Sequence, residues 1–289
     1  VREKDQARQQ KAYLGAVIKA GEAKEVIPVI QPGIAMEYAF TTGVKKLVGK
    51  NKPAIGFLQG FGAASLQELA QAYQELSILY QVSPVYAIAD TTDLSLFKSL
   101  VMIRPTDSIP ADVFDRIDRY LGQGGHFLLA YNQVEANMQY GVANATNSSI
   151  KNWLASKGLT VEDALVRDVR CGQVNVTQQQ GFFSFSTPVQ FPYLPLLQKF
   201  PPHPVTKGLE QILLEFASPM QFGSHPDWDY TPLLTSSERA SREAVPLQFE
   251  VQRNWTDADF TEKNVHLAAL LSSKQPGGGS LMVISDGDF

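Results

Sequence analysis

Residues Ser99–Gln133 read SLVMIRPTDSIPADVFDRIDRYLGQGGHFLLAYNQ, and the reading of this stretch decides the fold. Leu100–Ile103 is a short continuous apolar run, the pattern of a strand covered on both faces. Pro110 suits the first position of a helix, where its missing N–H costs nothing. Asp112 then lies near the positive end of the helix dipole. Val113, Phe114, Ile117, Tyr120 and Leu121 form one apolar stripe, opposite Asp115, Arg116, Asp118 and Arg119. Gly122, Gly124 and Gly125 supply the backbone freedom that ends a helix. Phe127–Tyr131 is a second buried strand, so the stretch is a right-handed βαβ unit with parallel strands. It carries no obvious catalytic residue.

The same grammar recurs upstream. Ala54–Leu58 reads as a strand, Gln59-Gly60-Phe61-Gly62 as a tight loop and Ser65–Tyr80 as a helix, with Ser65 and Glu68 as a capping box. Val85–Ala89 is the next strand. Residues 1–25 read as a peripheral helix or a frayed leader. Val26–Ile30 reads as a strand, Pro32-Gly33 as a turn, and Met36–Val48 as a helix ended by Gly49. Beyond Gln133 the pattern loosens. Glu135–Ser149 reads as an exposed loop, and Ile150, Trp153 and Leu154 as a short helix stopped by Gly158. The aromatic, proline-rich segment Phe182–Pro204 is a poor helix and a poor central strand. Val265–Ser272 suggests a short helix and Leu281–Ser285 a final buried strand. The expectation is an α/β fold: residues 1–50 a helical or extended leader, and 51–289 a single domain. That domain has a mainly parallel sheet flanked by helices and an elaborated C-terminal half.

The 289 residues carry a net charge of −4 and 19% charged residues, which gives no footprint for nucleic acid or anionic lipid. The single cysteine, Cys171, excludes an intramolecular disulfide framework. No apolar run reaches the roughly 18 residues of a membrane span. The chain starts at Val1 and stops at Phe289 just after a strand, the pattern of an excised piece.

Candidate chemistry is sparse. The Gln59–Gly62 loop sits where phosphates often bind, yet it lacks the third glycine of the dinucleotide fingerprint and any following Gly-Lys-Ser/Thr. A nucleophile elbow would place Ser or Cys on the turn after a buried strand. Here Arg104-Pro105-Thr106 and Asn132-Gln133 occupy those turns, and Pro105 fixes a φ unsuited to a strained elbow. Cys171 has no histidine nearby in sequence. His225-Pro226-Asp227-Trp228-Asp229 offers an imidazole and two carboxylates, but Pro226 makes it a turn first, and His203 also reads as turn chemistry. Asp286-Gly287-Asp288 follows the last strand, on the edge where open α/β sheets bind ligands. Asn144, Asn147, Asn175 and Asn254 stand in Asn-X-Ser/Thr sequences.

Between Val26 and Phe289 the chain resembles the gliding-motility ABC-transporter auxiliary family (GldG-like), an uncharacterised ABC-type transport component. The landmarks are Glu37-Tyr38, Lys52–Gly62, Leu100–Pro105, Ile117–Leu121 with Gly124-Gly125, Trp153-Leu154 with Gly158, His203–Leu209, Pro232–Ser237 and Val283–Phe289. The resemblance implies a fold similar to class I glutamine amidotransferases without their catalytic apparatus. It also implies a place on the extracytoplasmic side of the inner membrane. Partners would be ABC permease and ATPase subunits or other envelope proteins, with a transmembrane segment after Phe289. The family often carries Gly-His-Gly-Glu where this chain has Gly60-Phe61-Gly62-Ala63, and a serine where this chain has Gly287. The expected function is a non-enzymatic binding module with no catalytic residue, metal or cofactor. Its contact region would be Gln59, Phe61, Arg104, Asn132, Asp286 and Asp288. The alternatives are an amidotransferase-like hydrolase and a nucleotide-binding regulatory domain.

Overall fold

A computed structural model describes residues 2–3, 6–7, 14–29, 34–48, 52–86, 92–146, 149–180 and 183–289. The chain divides into two compact units, residues 1–53 with 71–82, and residues 54–70 with 83–289.

In the first unit β1 (Arg2–Glu3) pairs with β2 (Gln6–Ala7), and β3 (Ala16–Ala20) with β4 (Ala23–Ile27), both antiparallel. A hairpin therefore stands where the charged, glutamine-rich sequence suggested a helix or a loose leader. Gly21, at φ 61°, makes the tight turn between β3 and β4. Helix α1 (Ile34–Val48) lies against this hairpin. Gly43 permits the approach, since a Cβ there would stand 2.7 Å from Ile18 Cδ1. Helix α2 (Ala70–Ser77) is shorter than its apolar spacing predicts. The Ser65–Glu68 capping box forms, with Ser65 N donating to Glu68 Oε2 at 2.8 Å, but it closes a turn ahead of the helix. The expected turn at Pro32-Gly33, the stop at Gly49 and the asparagine at 147 lie outside the described residues.

The remaining strands begin with β5 (Ala54–Gln59), β6 (Gln81–Tyr86) and β7 (Ser99–Ile103). Next come α3 (Ala111–Gly122) and β8 (His126–Ala130), then a hairpin of β9 (Val134–Asn137) and β10 (Val142–Ala145). Helix α4 (Ser149–Ala155) leads into β11 (Leu159–Val161), β12 (Ala164–Asp168), β13 (Cys171–Gln180) and β14 (Phe183–Leu197). The chain continues through β15 (Ile212–Leu213), β16 (Met220–Phe222), β17 (Trp228–Thr235) and β18 (Ala240–Ala244). It closes with β19 (Leu247–Gln248), β20 (His266–Ser273) and β21 (Ser280–Ile284).

The main sheet runs β11-β16-β20-β21-β8-β7-β5-β6, with β17 also on β20. It is parallel at its centre, where β5 pairs with β7, β7 with β8 and β8 with β21. Beyond β21 it turns antiparallel through β20. The opening stretch forms as read. Its strands pair in parallel, and all five residues of the α3 stripe are buried. Pro110 is the residue just before the helix rather than its first turn, at φ −63° and ψ 152°. Tyr120 anchors the return. Its hydroxyl accepts from His126 N at 3.2 Å, and its ring fills the space that a Cβ on Gly125 would need.

Three sequence expectations fail for physical reasons. Glu135–Ser149 holds the β9–β10 hairpin, whose turn takes Gly141 at φ 68°. Phe182–Pro204 supplies the long β14 (Phe183–Leu197), outside the main sheet, and Pro188, Pro192 and Pro195 precede Leu196 and Leu197, the only β14 residues that β15 pairs, so these prolines sit on a strand edge that β15 leaves open. Val265–Ser272 is β20, a strand with neighbours on both sides. Its run of Ala and Leu is apolar on both faces, a pattern that strand and helix share over eight residues.

Candidate functional site at the ends of the parallel strands

The C-terminal ends of β5, β7, β8 and β21 converge, and the loops that leave them are knitted together. After β5, Gly60, Phe61 and Gly62 take φ 96°, 54° and 69° in succession. Phe61 O accepts from Thr106 N at 3.0 Å and Asp107 N at 2.9 Å, which ties this loop to the one after β7. A side chain at Gly62 would meet Thr106 Oγ1 at 1.8 Å, so both the space and the φ require glycine.

The residue after β7 is Arg104, at φ 50°. A non-glycine residue in the left-handed region is strained and persists only where its surroundings hold it. Here the backbone N–H of Arg104 donates to Ala130 O at 2.8 Å, on the end of β8. Its guanidinium donates to Asp288 Oδ1 and to Glu68 Oε1, each at 2.9 Å. Asn132 completes the corner, donating from Nδ2 to Asp288 Oδ2 at 2.6 Å and accepting from Gly287 N at 2.7 Å. The sequence placed the constraint on Pro105 and took it to exclude an elbow. The structure does form a strained strand-to-helix turn, one residue earlier, and it carries an arginine.

Asp286 lies beneath, fully buried. Its Oδ2 accepts from Glu215 N at 2.6 Å and its Oδ1 from Asp288 N at 2.8 Å. Burial pushes its carboxyl up to about 7, against the pull of those two donors, and the nearby Asp288 and Glu215 charges add to the rise. Glu68 moves the other way. The backbone and hydroxyl bonds from Ser65 hold its carboxyl below the usual range, and Arg104 adds to that.

Of the six expected contact residues, Arg104, Asn132 and Asp288 come together on the wall of a cleft of about 290 Å³. Thr106, Glu135 and Phe216 also line it. Gln59 and Asp286 do not face outward. Gln59 is buried and donates to Leu58 O and Ala64 O, both at 3.3 Å, so it braces the loop. Phe61 packs on the core beside α3. Sequence reading missed Glu68, which appeared only as a capping residue. A capping carboxylate keeps a second oxygen, and here that oxygen takes Arg104. It also missed Glu135, because the β9–β10 hairpin was read as a loop.

The other candidates behave as local structure. His225 Nδ1 accepts from Asp227 N at 3.2 Å, and Asp227 and Asp229 pair with Gln275 and Lys274. His203 Nδ1 accepts from Val205 N at 3.2 Å. Among the described residues no group of three or more His, Cys, Asp or Glu is placed to hold a metal. Cys171 opens β13, and burial pushes its thiol up, away from the thiolate form. Asn144, Asn175 and Asn254 are exposed. No helix among the described residues is long and apolar enough to cross a membrane.

A family model described as "ABC-type uncharacterized transport system" matches residues 52–289. The chain belongs to this ABC-transport auxiliary family. Comparison with curated proteins yields no match. Among solved structures the chain is similar in fold to an IFT52 N-terminal domain, at 15% identity and a TM-score of 0.54, covering 81% of this chain and 86% of that one. A putative ThuA-like protein from Parabacteroides merdae aligns over 81% of this chain and 79% of its own, at 13% identity and a TM-score of 0.38. A β-galactosidase from Bacillus circulans sp. alkalophilus aligns at 11% identity and a TM-score of 0.39, over 88% of this chain but only 32% of the enzyme. The auxiliary family is thus the assignment that these comparisons make, and it associates the chain with a membrane transport system.

Proposed function

We propose that this ABC-transport auxiliary chain is a non-enzymatic binding module on the extracytoplasmic side of the membrane, built on an amidotransferase-like scaffold. It would present the cleft at the ends of the parallel strands to the permease or another envelope partner, in gliding motility or an associated secretion process. The observation that carries the reading is the elbow. The position where this kind of scaffold can hold a nucleophile bears Arg104, and both ends of its guanidinium are held by carboxylates. Such a pair of ion bridges fixes a polar surface without poising a group for attack. Thr106, Glu135 and Asn132 on the same cleft supply donors and acceptors for a partner's backbone or polar side chains.

The test is co-purification of the full-length protein with its cognate permease and ATPase, comparing wild type with Arg104→Glu and Thr106→Trp. Loss of the complex in both variants, with folding retained, supports the cleft as the contact. Undiminished assembly in both sinks it. Turnover of an amide or ester substrate that disappears in Cys171→Ala would overturn the non-enzymatic reading.

A further inference from the structure

A second cavity, of about 260 Å³, lies between the turn after β12, the end of β14 and the turn after β17. Its charged lining is Arg170, Lys199, Arg239 and Glu238, in a chain whose net charge is −4. Three cations stand around it with Glu238, while Asp168 is buried below and Asp257 pairs with Arg239. The structure gives no salt bridge for the Arg170 and Lys199 side chains among the described residues, whereas Arg239 bridges to the exposed Asp257.

The floor is built rather than incidental. Asp168 is fully buried below it, and its carboxylate accepts from Arg170 N at 2.8 Å, Ser237 N at 2.6 Å and Ser237 Oγ at 2.7 Å. The carboxylate at the base is therefore satisfied by three donors. The same bonds pin the Arg170 and Ser237 turns side by side. Asn264, at φ 52°, closes the third side, with its N–H donating to Ser237 O at 3.0 Å. Leu196 and Leu197 give the remaining wall an apolar surface.

We propose that this cavity binds a small multivalent oxyanion, a phosphate-bearing or polycarboxylate molecule, between Arg170, Lys199 and Arg239. Two cations with no salt bridge among the described residues favour a ligand of more than one negative charge, and Arg239 can exchange its exposed carboxylate for it. The volume falls below the usual range for drug-sized ligands, so the occupant is compact. This site shares no residue with the Arg104 cleft and stands or falls independently of the proposed partner contact.

The experiment is isothermal titration of the protein with inorganic phosphate and, separately, with citrate, at ionic strength matched by sodium chloride. The variants are Arg170→Gln/Lys199→Gln, and Lys274→Ala as a control whose ammonium pairs with Asp229 elsewhere. Both glutamines replace exposed side chains, and circular dichroism checks that the fold is kept. Saturable binding to wild type, weakened at least tenfold in the double variant and unchanged in the control, supports the site. A response to phosphate alone identifies a phosphoryl ligand, and one to citrate alone a carboxylate ligand. No saturable binding to either, or equal binding by the double variant, overturns it.

Discussion

Arg104 and Asp168 both stand at corners where a strand leaves its sheet, and the protein treats the two charges in opposite ways. At Arg104 a cation is drawn between two carboxylates, and its backbone is forced to a positive φ to get there. At Asp168 a carboxylate is sealed into the core and satisfied by backbone and hydroxyl donors, while Arg170 and Lys199 above it make no salt bridge among the described residues. The first corner is a closed set of ion pairs. The second uses its buried charge to shape a turn and leaves its surface charge available. Burial of the charge, and not its sign, decides how much of the fold depends on each one.

That contrast makes Asp168→Ala the most damaging substitution. It strands three donors, and the expected loss is about 3 kcal/mol or more in a denaturant melt. Asp288→Ala, with a partly exposed ion pair, should cost far less, and equal losses would erase the distinction. Gly287→Ser comes next. A Cβ there would lie 2.9 Å from Arg104 Cβ and 3.0 Å from its Cα. Overpacking of this kind costs about 1–3 kcal/mol and should also loosen the Arg104–Asp288 bridge. A melt unchanged from wild type would show that the corner can yield.

Asp286 adds a pH dependence whose sign is fixed. Its folded-state carboxyl is raised from the ordinary 3.8 to about 7, so the folded state holds the extra proton between those values. Stability from this group is full below the unfolded value and falls as pH rises toward 7, by at most about 1.4 kcal/mol per pH unit. In Asp286→Asn the slope between pH 4 and 7 should flatten relative to wild type. A parallel pair of curves would contradict the raised value. The smallest expected effect separates strain from charge at Arg104. Arg104→Ala loses both ion bridges and keeps the φ, whereas Arg104→Gly loses the bridges and relieves the φ. The glycine variant should be more stable than the alanine variant by about 1 kcal/mol.

The opening βαβ unit was legible because its pattern is local: an apolar strand, a single helical stripe, a glycine stop. The antiparallel side was not. His266–Ser273 is apolar on both faces and carries no period to separate strand from helix, so only its neighbours decide it. Val134–Asn137 and Val142–Ala145 are too short and polar to announce a hairpin without the register that pairs them. At the candidate site, Arg104, Asn132 and Asp288 were legible from the rule that ligands bind at strand ends. Glu68 was not, because its second oxygen finds its partner only through tertiary contact. The cations around Asp168, namely Arg170, Lys199 and Arg239, come from three separate segments, which no single window of sequence brings together.

The joint between β8 and β21 pairs strands that lie far apart in the chain. His126 and Ser280 meet across it, 154 residues apart, with His126 Nδ1 and Ser280 Oγ 2.9 Å from one another. The middle of the main sheet therefore closes by the longest loop in the sheet rather than by neighbouring segments. Closures of that span are slow, and until β21 arrives the edge of β8 has an open row of N–H and C=O groups. During synthesis the βαβ unit would stand complete on one side and unprotected on the other, a window in which a chaperone or a partner strand has its best access to the chain.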